Sequence, residues 1–390
     1  MNKFRKGCLT KTKIITGWGF FLFAVTIGYF AFTNLIFSDR SSPIDRLSQN
    51  ELIRLQEIDH LRTTLGNEIW PGFGEQDIPI ILYNEAYVFL RGLDETQPGW
   101  KTVPFFRQMG SQWSSIGSDS LSRYYRQPIK AADQIPEAFT VQVGDKYVAS
   151  MTTKQWTGIK LTQLIKNEIP AILSPVFPYS VIRSKFNSDW HISSVIHESF
   201  HSFQAEIALE RVRSAESANT FASSYPWKNP DFREAWHKER MILGTILKTP
   251  EKDKFRSLTR EWLQLREQRR DHYNDSKLTN YEQEREWLEG LAKYAEVRSW
   301  LLASDPINYQ PLAEISADPD FDHYSEGKKN RNREIKQLQS DLNFNDTIFY
   351  YSGWAQAEIL DRLDPDWKLK AFQPNVYLDD LIRDNLKPLP

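Results

Sequence analysis

The stretch Ile192–Gln204, ISSVIHESFHSFQ, decides how the rest of the chain is read. Val195, Ile196, Phe200, Phe203 and Ile207 recur at helical spacing, and Ser193 or Ser194 is of the type that caps a helix N-terminus, so a helix is predicted here. His197 and His201 then lie one turn apart on one face and can offer imidazole nitrogens to a single tetrahedral Zn²⁺. Glu198 comes off the neighbouring angle, where a carboxylate can take a proton from an attacking water without holding the metal itself. Two histidines on a helix can equally be half-buried residues satisfied by backbone or water, so the pattern needs partners elsewhere in the chain.

A two-histidine zinc site needs a third protein ligand and an open position. The predicted helix Tyr281–Ala303 supplies Glu286, Glu289 and Glu296, with Glu289, Ala292, Lys293 and Glu296 in one angular sector. Gly290 and Ala292 are small enough to let this helix approach another closely. Glu289 is the expected ligand, and Glu286 and Glu296 stay open as alternatives. The plain reading of the same helix is an amphipathic one with glutamates toward solvent.

HExxH followed far downstream by E-G-x-A-x-Y-x-E resembles the gluzincin branch of the zinc metallopeptidases. The resemblance covers the two helices and part of the region before them. It implies that His197, His201 and Glu289 bind Zn²⁺, that Glu198 is the general base, and that the substrate is a peptide. The chain departs from neighbouring patterns: no GxxH follows the motif as in metzincins, no NExxSD signature surrounds Glu289, and the long gap carries His237 and His272. Gluzincins are similar in holding a strand edge above the metal, and the predicted hairpin around Val141 and Val148 precedes the motif helix as that requires; core packing explains the hairpin equally well. For a donor to the developing oxyanion, Tyr294, Tyr350 and Tyr351 are candidates, each also readable as an ordinary packed aromatic. Gln204 and Glu296 are placed to steady a ligand, and His191 to cap or support the helix.

The chain has 390 residues, room for a substantial core, and 49 basic against 51 acidic residues, which gives no electrostatic argument for nucleic acid as a partner. Ile14–Phe37 runs without a charge, long enough to cross a bilayer core of about 30 Å as a helix. Lys3, Arg5, Lys6, Lys11 and Lys13 precede it, whereas Arg40 and Arg46 after it are balanced by Asp39 and Asp45. The expected arrangement is a single-pass anchor in the cell membrane with the N-terminus cytoplasmic and the body outside. The run exceeds the usual h-region of about 7–15 residues, which favours an anchor over a cleaved signal peptide. Cys8, the one cysteine, precedes the run, so the body has no disulfide and no thiolate zinc ligand.

The expected fold class is α+β and zincin-like, a small β-containing subdomain followed by a mostly helical catalytic part. Residues 1–13 read as a basic tail, 14–37 as the transmembrane anchor, 38–70 as a linker and juxtamembrane helix, 71–187 as an α/β subdomain, and 188–390 as the zinc-binding helical part. The juxtamembrane helix carries a capping box (Ser48, Glu51), a Leu47–Leu52 staple and a stop at Gly66. Strands are expected within 78–90 and at 139–143 and 147–151, the latter pair joined at Gly144-Asp145. Helices are expected at about 157–168, 231–248, 251–273, 280–303, 330–341 and 347–362, with Arg266–Asp271 on a solvated face. The function this points to is a membrane-anchored zinc metallopeptidase. An inactive envelope scaffold or binding protein, and a zinc hydrolase of a non-peptide envelope amide, are the alternatives.

Overall fold

A computed structural model describes residues 25–117, 123–131, 135–136, 139–341 and 344–387. Residues 14–24 of the expected anchor, and Cys8, lie outside the described residues; residues 25–36 form a helix, α1. No helix among the described residues is long and apolar enough to cross a membrane.

The chain is α+β: a curled eight-stranded sheet precedes a mostly helical part. Helix α2 (Gln49–Ile69) comes first, then β1 (Ile80–Tyr83), β2 (Tyr87–Arg91), β3 (Trp100–Thr102), β4 (Gln108–Met109), β5 (Ser114–Ile116), β6 (Tyr124–Pro128), β7 (Phe139–Val143) and β8 (Lys146–Thr152). The spatial order is β4-β3-β7-β8-β1-β2-β6-β5, antiparallel throughout except for the parallel β1–β8 pair. The curl follows from one short connection. β4 and β5 are the two outermost strands, yet only residues 110–113 join them. Five residue steps reach about 18 Å at most, whereas seven strand spacings in a flat sheet span about 34 Å. The sheet must therefore roll until its edges approach, and Ser111 N–H donating to Gln127 Oε1 on β6 closes the gap.

Period-two alternation divides the strand side chains between two cores. Ile81, Val88, Val141 and Val148 pack inside the curl, while Leu82, Phe89 and Ala149 face the helices. Hairpin β7–β8 turns at Gly144-Asp145 with Gly144 at φ +63°, as the sequence indicates. It is not a sheet edge: β7 also pairs with β3, and β8 with β1. The expectation of a strand edge above the site fails for this hairpin, because the short strands β4 and β5 occupy the edges instead.

Helices α3 (Lys154–Glu168) and α4 (Tyr179–Arg183) lead into α5 (Ser188–Ala218), followed by α6 (Pro230–Ile246), α7 (Lys252–Tyr273), α8 (Ser276–Arg285), α9 (Leu291–Ala303), α10 (Gly327–Leu338), α11 (Thr347–Leu363), α12 (Trp367–Ala371) and α13 (Leu378–Leu386). α8 and α9 are one continuous rod interrupted by a π-turn at Glu286–Gly290. A single large core unites α2, one face of the sheet, α5, α9 and α11. Ser48 caps α2, but Glu51 does not complete the box; its carboxylate pairs with Arg54, and α2 runs past Gly66 to Ile69. Gly66 has another use, since a Cβ there would stand 2.6 Å from Gly74 backbone. Arg266 and Arg269 are buried, contrary to the solvated face expected for the charged run. They pair with Glu239, Glu282, Glu286 and Asp379, which is how the interior accepts them.

Candidate metal centre

Helix α5 carries His197 and His201. It starts at Ser188, five residues before the expected cap, and Asn187 is the cap, its side chain accepting from Trp190 N–H at 3.0 Å. Ser193 and Ser194 lie inside the helix and donate to the Trp190 carbonyl. The first turn is locked from outside: Asp189 accepts from the backbone N–H groups of Asp322 and Tyr324, and Ser188 and Arg54 both bind Asp318. His191 is neither a cap nor a ligand; its Nε2 faces the Thr152 carbonyl at 2.9 Å, tying α5 to the end of β8, and burial pushes its pKa down.

The two motif histidines and Glu289 meet. His201 Nε2 lies 3.3 Å and His197 Nε2 3.6 Å from the same Glu289 oxygen, Oε2, and all three residues are buried. One ligand atom from each lies within 4.8 Å of the others. The outer nitrogens settle the tautomers. Gln204 Nε2 donates to the carbonyls of Trp287 and Leu288, so its Oε1, 2.9 Å from His201 Nδ1, must accept, and Nδ1 carries the proton. Glu296 Oε2, 3.2 Å from His197 Nδ1, does the same for the other ring. Both Nε2 lone pairs are thereby turned toward Glu289.

Three acceptors converging in a buried space require a cation between them: a proton or a metal ion. Without a metal, burial opposes charge on His197, but Glu289 and Glu296 outweigh it and raise its pKa to about 10. Burial opposes charge on Glu289 too, yet Arg285 and the histidines hold it well below the ordinary carboxylate range. The geometry also fits a metal: four ligands at about 2.0–2.1 Å in a tetrahedron are about 3.3 Å apart, close to the 3.3 and 3.6 Å of the two N···O edges here. A His197–His201–Glu289 group consistent with an HExxH…E zincin site is therefore present.

The neighbouring groups sort by where they point. Glu289 Oε1 accepts from Arg285 at 2.9 Å, freeing Oε2 for the histidines; Arg285 stands four residues earlier, a spacing that could have flagged it in the sequence. Glu296 is held on its far oxygen by Lys293 at 2.6 Å, and Lys293 in turn by Glu334. Glu286 is turned away, binding Ser352 and Arg266. Glu198 is half-buried on the wall of a 210 Å³ cavity also lined by Met151, Trp190, Ser194, Lys293, Tyr350 and Tyr351, and burial raises its pKa. Of the tyrosines, Tyr350 reaches the centre: its ring stacks on His197 at 5.7 Å, and burial together with the Glu289 charge raises its pKa well above the ordinary value. Tyr351 sits over Lys293 instead. Tyr294 is not brought to the centre; its hydroxyl donates to Asp361 and its ring packs between Trp70 and Trp367. His237 and His272 are also elsewhere, His237 pairing with Asp341 and His272 meeting the Tyr273 ring edge to face.

Compared with protein-family models, curated proteins and solved structures, the chain matches none of them.

Proposed function

We propose that this chain is a membrane-anchored, zincin-type zinc hydrolase that cleaves peptide bonds. The observation that carries the reading is the single Glu289 oxygen placed 3.3 and 3.6 Å from the inward nitrogens of His201 and His197. Zinc held by these three would supply a Lewis acid that acidifies water and polarises a carbonyl. Glu198, adjacent in sequence and open to the cavity, takes the proton from the attacking water and returns it to the leaving amine. Tyr350 donates its hydroxyl to the carbonyl oxygen as negative charge develops there. Gln204 and Glu296 keep the two rings in register. The membrane location and outward-facing body rest on the charge-free run Ile14–Phe37 and the basic residues before it.

The test is metal content and turnover of the full chain in detergent or vesicles. Near one zinc per chain is expected for the native protein and for Glu198→Gln, and loss of zinc for His197→Ala, His201→Ala and Glu289→Ala. Cleavage of mixed peptides should vanish in Glu198→Gln. Absence of zinc, or equal cleavage by that variant, overturns the reading. Zinc binding with cleavage of envelope amides but not peptides would move the substrate, and zinc binding with no turnover on either would leave a scaffold.

A further inference from the structure

Ile169–Ile182, IPAILSPVFPYSVI, is fourteen residues without a charge, and much of it lies on the surface between α3 and α4. Ile172 is 86 % and Leu173 53 % exposed. Connecting segments that face water are normally polar, and contiguous exposed apolar surface marks a contact with something else. The segment is joined to α1: Asn34 Nδ2 donates to the carbonyls of Pro175 and Phe177, each at 2.9 Å. α1 is the C-terminal part of the charge-free run, and it too presents apolar side chains outward, with Leu35 85 % exposed. Of the fifteen exposed large apolar residues among the described residues, nine fall in 25–36 or 164–181, so the exposure is concentrated in α1 and the segment that adjoins it.

The polar groups around this face are ordered by height along α1. Asn34 sits level with the loop; just beyond it the Arg183 guanidinium lies over the Phe37 ring at 4.4 Å and Lys166 pairs with Asp39 at 3.4 Å. Apolar groups therefore stand at the level of the last helical turns, with cations directly above them. That is the sequence of environments met on leaving a bilayer core through its headgroups. A recess of 650 Å³ between α1 and the loop is lined by apolar Ala31, Leu35, Ile169 and Pro175 together with polar Asn34 and Lys166.

We propose that the Ile169–Ile182 segment is a second membrane contact, inserting Ile172 and Leu173 into the interface beside the anchor so that the body is held down on the lipid. This rests on reading Ile14–Phe37 as a membrane anchor. The consequence is that the hydrolytic cavity works at a fixed height above the bilayer.

The test uses the full chain carrying Cys8→Ser, with Ile172→Cys or Leu173→Cys labelled by an environment-sensitive fluorophore and reconstituted in phosphatidylcholine–phosphatidylglycerol vesicles. Ile307→Cys, at an exposed apolar site away from this face, is the comparison. Flotation first reads the anchor. A chain that floats should show blue-shifted emission and loss of signal to doxyl-lipid quenchers at both 172 and 173, and loss to aqueous iodide at 307. A floating chain whose labels at 172 and 173 are quenched by iodide and not by lipid overturns the contact while leaving the anchor intact. Protection from both quenchers would mean that protein covers the segment and also overturns it. Failure to float removes the anchor and the contact together.

Discussion

A Cβ on Gly353 would stand 2.7 Å from the Cα of Gly290, with the Glu286 carbonyl carbon at 3.0 Å. The π-turn and α11 therefore cross backbone to backbone, and the crossing positions both Glu289, next to one glycine, and Tyr350, three residues before the other. Gly353→Ala has only backbone to push against. It should cost about 1–3 kcal/mol of stability and, because it pries Glu289 from the histidines, weaken zinc binding more than a surface Gly→Ala would. Denaturant midpoints and a zinc titration measure both; an alanine variant with native zinc affinity would show that the crossing does not position Glu289.

Metal binding should stabilise the fold. Zinc at a hundredfold excess over its dissociation constant adds about 2.7 kcal/mol, read as a rise in Tm that a chelator reverses. His201→Ala should abolish the rise. A Tm indifferent to zinc in the native chain would sink the metal centre.

Gln204→Met removes the acceptor that fixes the His201 tautomer and should weaken zinc affinity by about 10–100-fold. Glu296→Gln keeps an oxygen that can still accept from His197 Nδ1 and should lose less. Glu289→Ala should lose zinc altogether, so the three form a graded series. If Glu296→Ala proved the more damaging of the two glutamate truncations, the third ligand would lie one face-repeat further along α9.

Much of this arrangement was legible in the sequence because it is written in local spacings. The i,i+4 histidines, the Glu289–Glu296 sector and the Gly144-Asp145 turn each depend on residues close in the chain. What the sequence concealed depends on distant partners. Asn187 replaces the two serines as cap because loop 318–324 fixes where α5 begins. The π-turn at Glu286–Gly290 has no signature beyond Gly290, yet π-turns are common at functional sites and this one aims Glu289. Arg266 and Arg269 read as a solvated face because their buried acids, Glu239, Glu282 and Asp379, come from three other helices. Tyr350 and Tyr351 are adjacent, and only the path of α11 distinguishes the one that stacks on His197.

That distinction is testable by kinetics. Tyr350→Phe keeps the ring on His197 and removes the hydroxyl, so kcat should fall by about 10²–10³ with KM and zinc content little changed. Tyr351→Phe should leave kcat near native. A native kcat in Tyr350→Phe would remove its hydroxyl from the reaction.

The buried arginine cluster predicts acid sensitivity. Burial works against charge on Glu282, but Arg269 and Arg270 outweigh it and hold its pKa at about 2, below the ordinary 4.5. Asp379, gripped by Arg270 and Arg266, is held well below its ordinary range for the same reason. For a carboxylate depressed in the folded state, stability is fully present above the unfolded pKa and is lost as pH falls toward the folded one. Glu282 alone links on the order of 3 kcal/mol to the window between about pH 4.5 and 2. Glu286, raised by burial, contributes in the opposite sense and offsets part of this. The expectation for this cluster is that the denaturant midpoint of Glu282→Gln falls less than that of the native chain as pH drops from about 4.5 toward 2. That variant should also be less stable at pH 7, since Arg269 keeps only Glu239 as a partner. An unchanged slope in Glu282→Gln would place the acid-sensitive protons elsewhere.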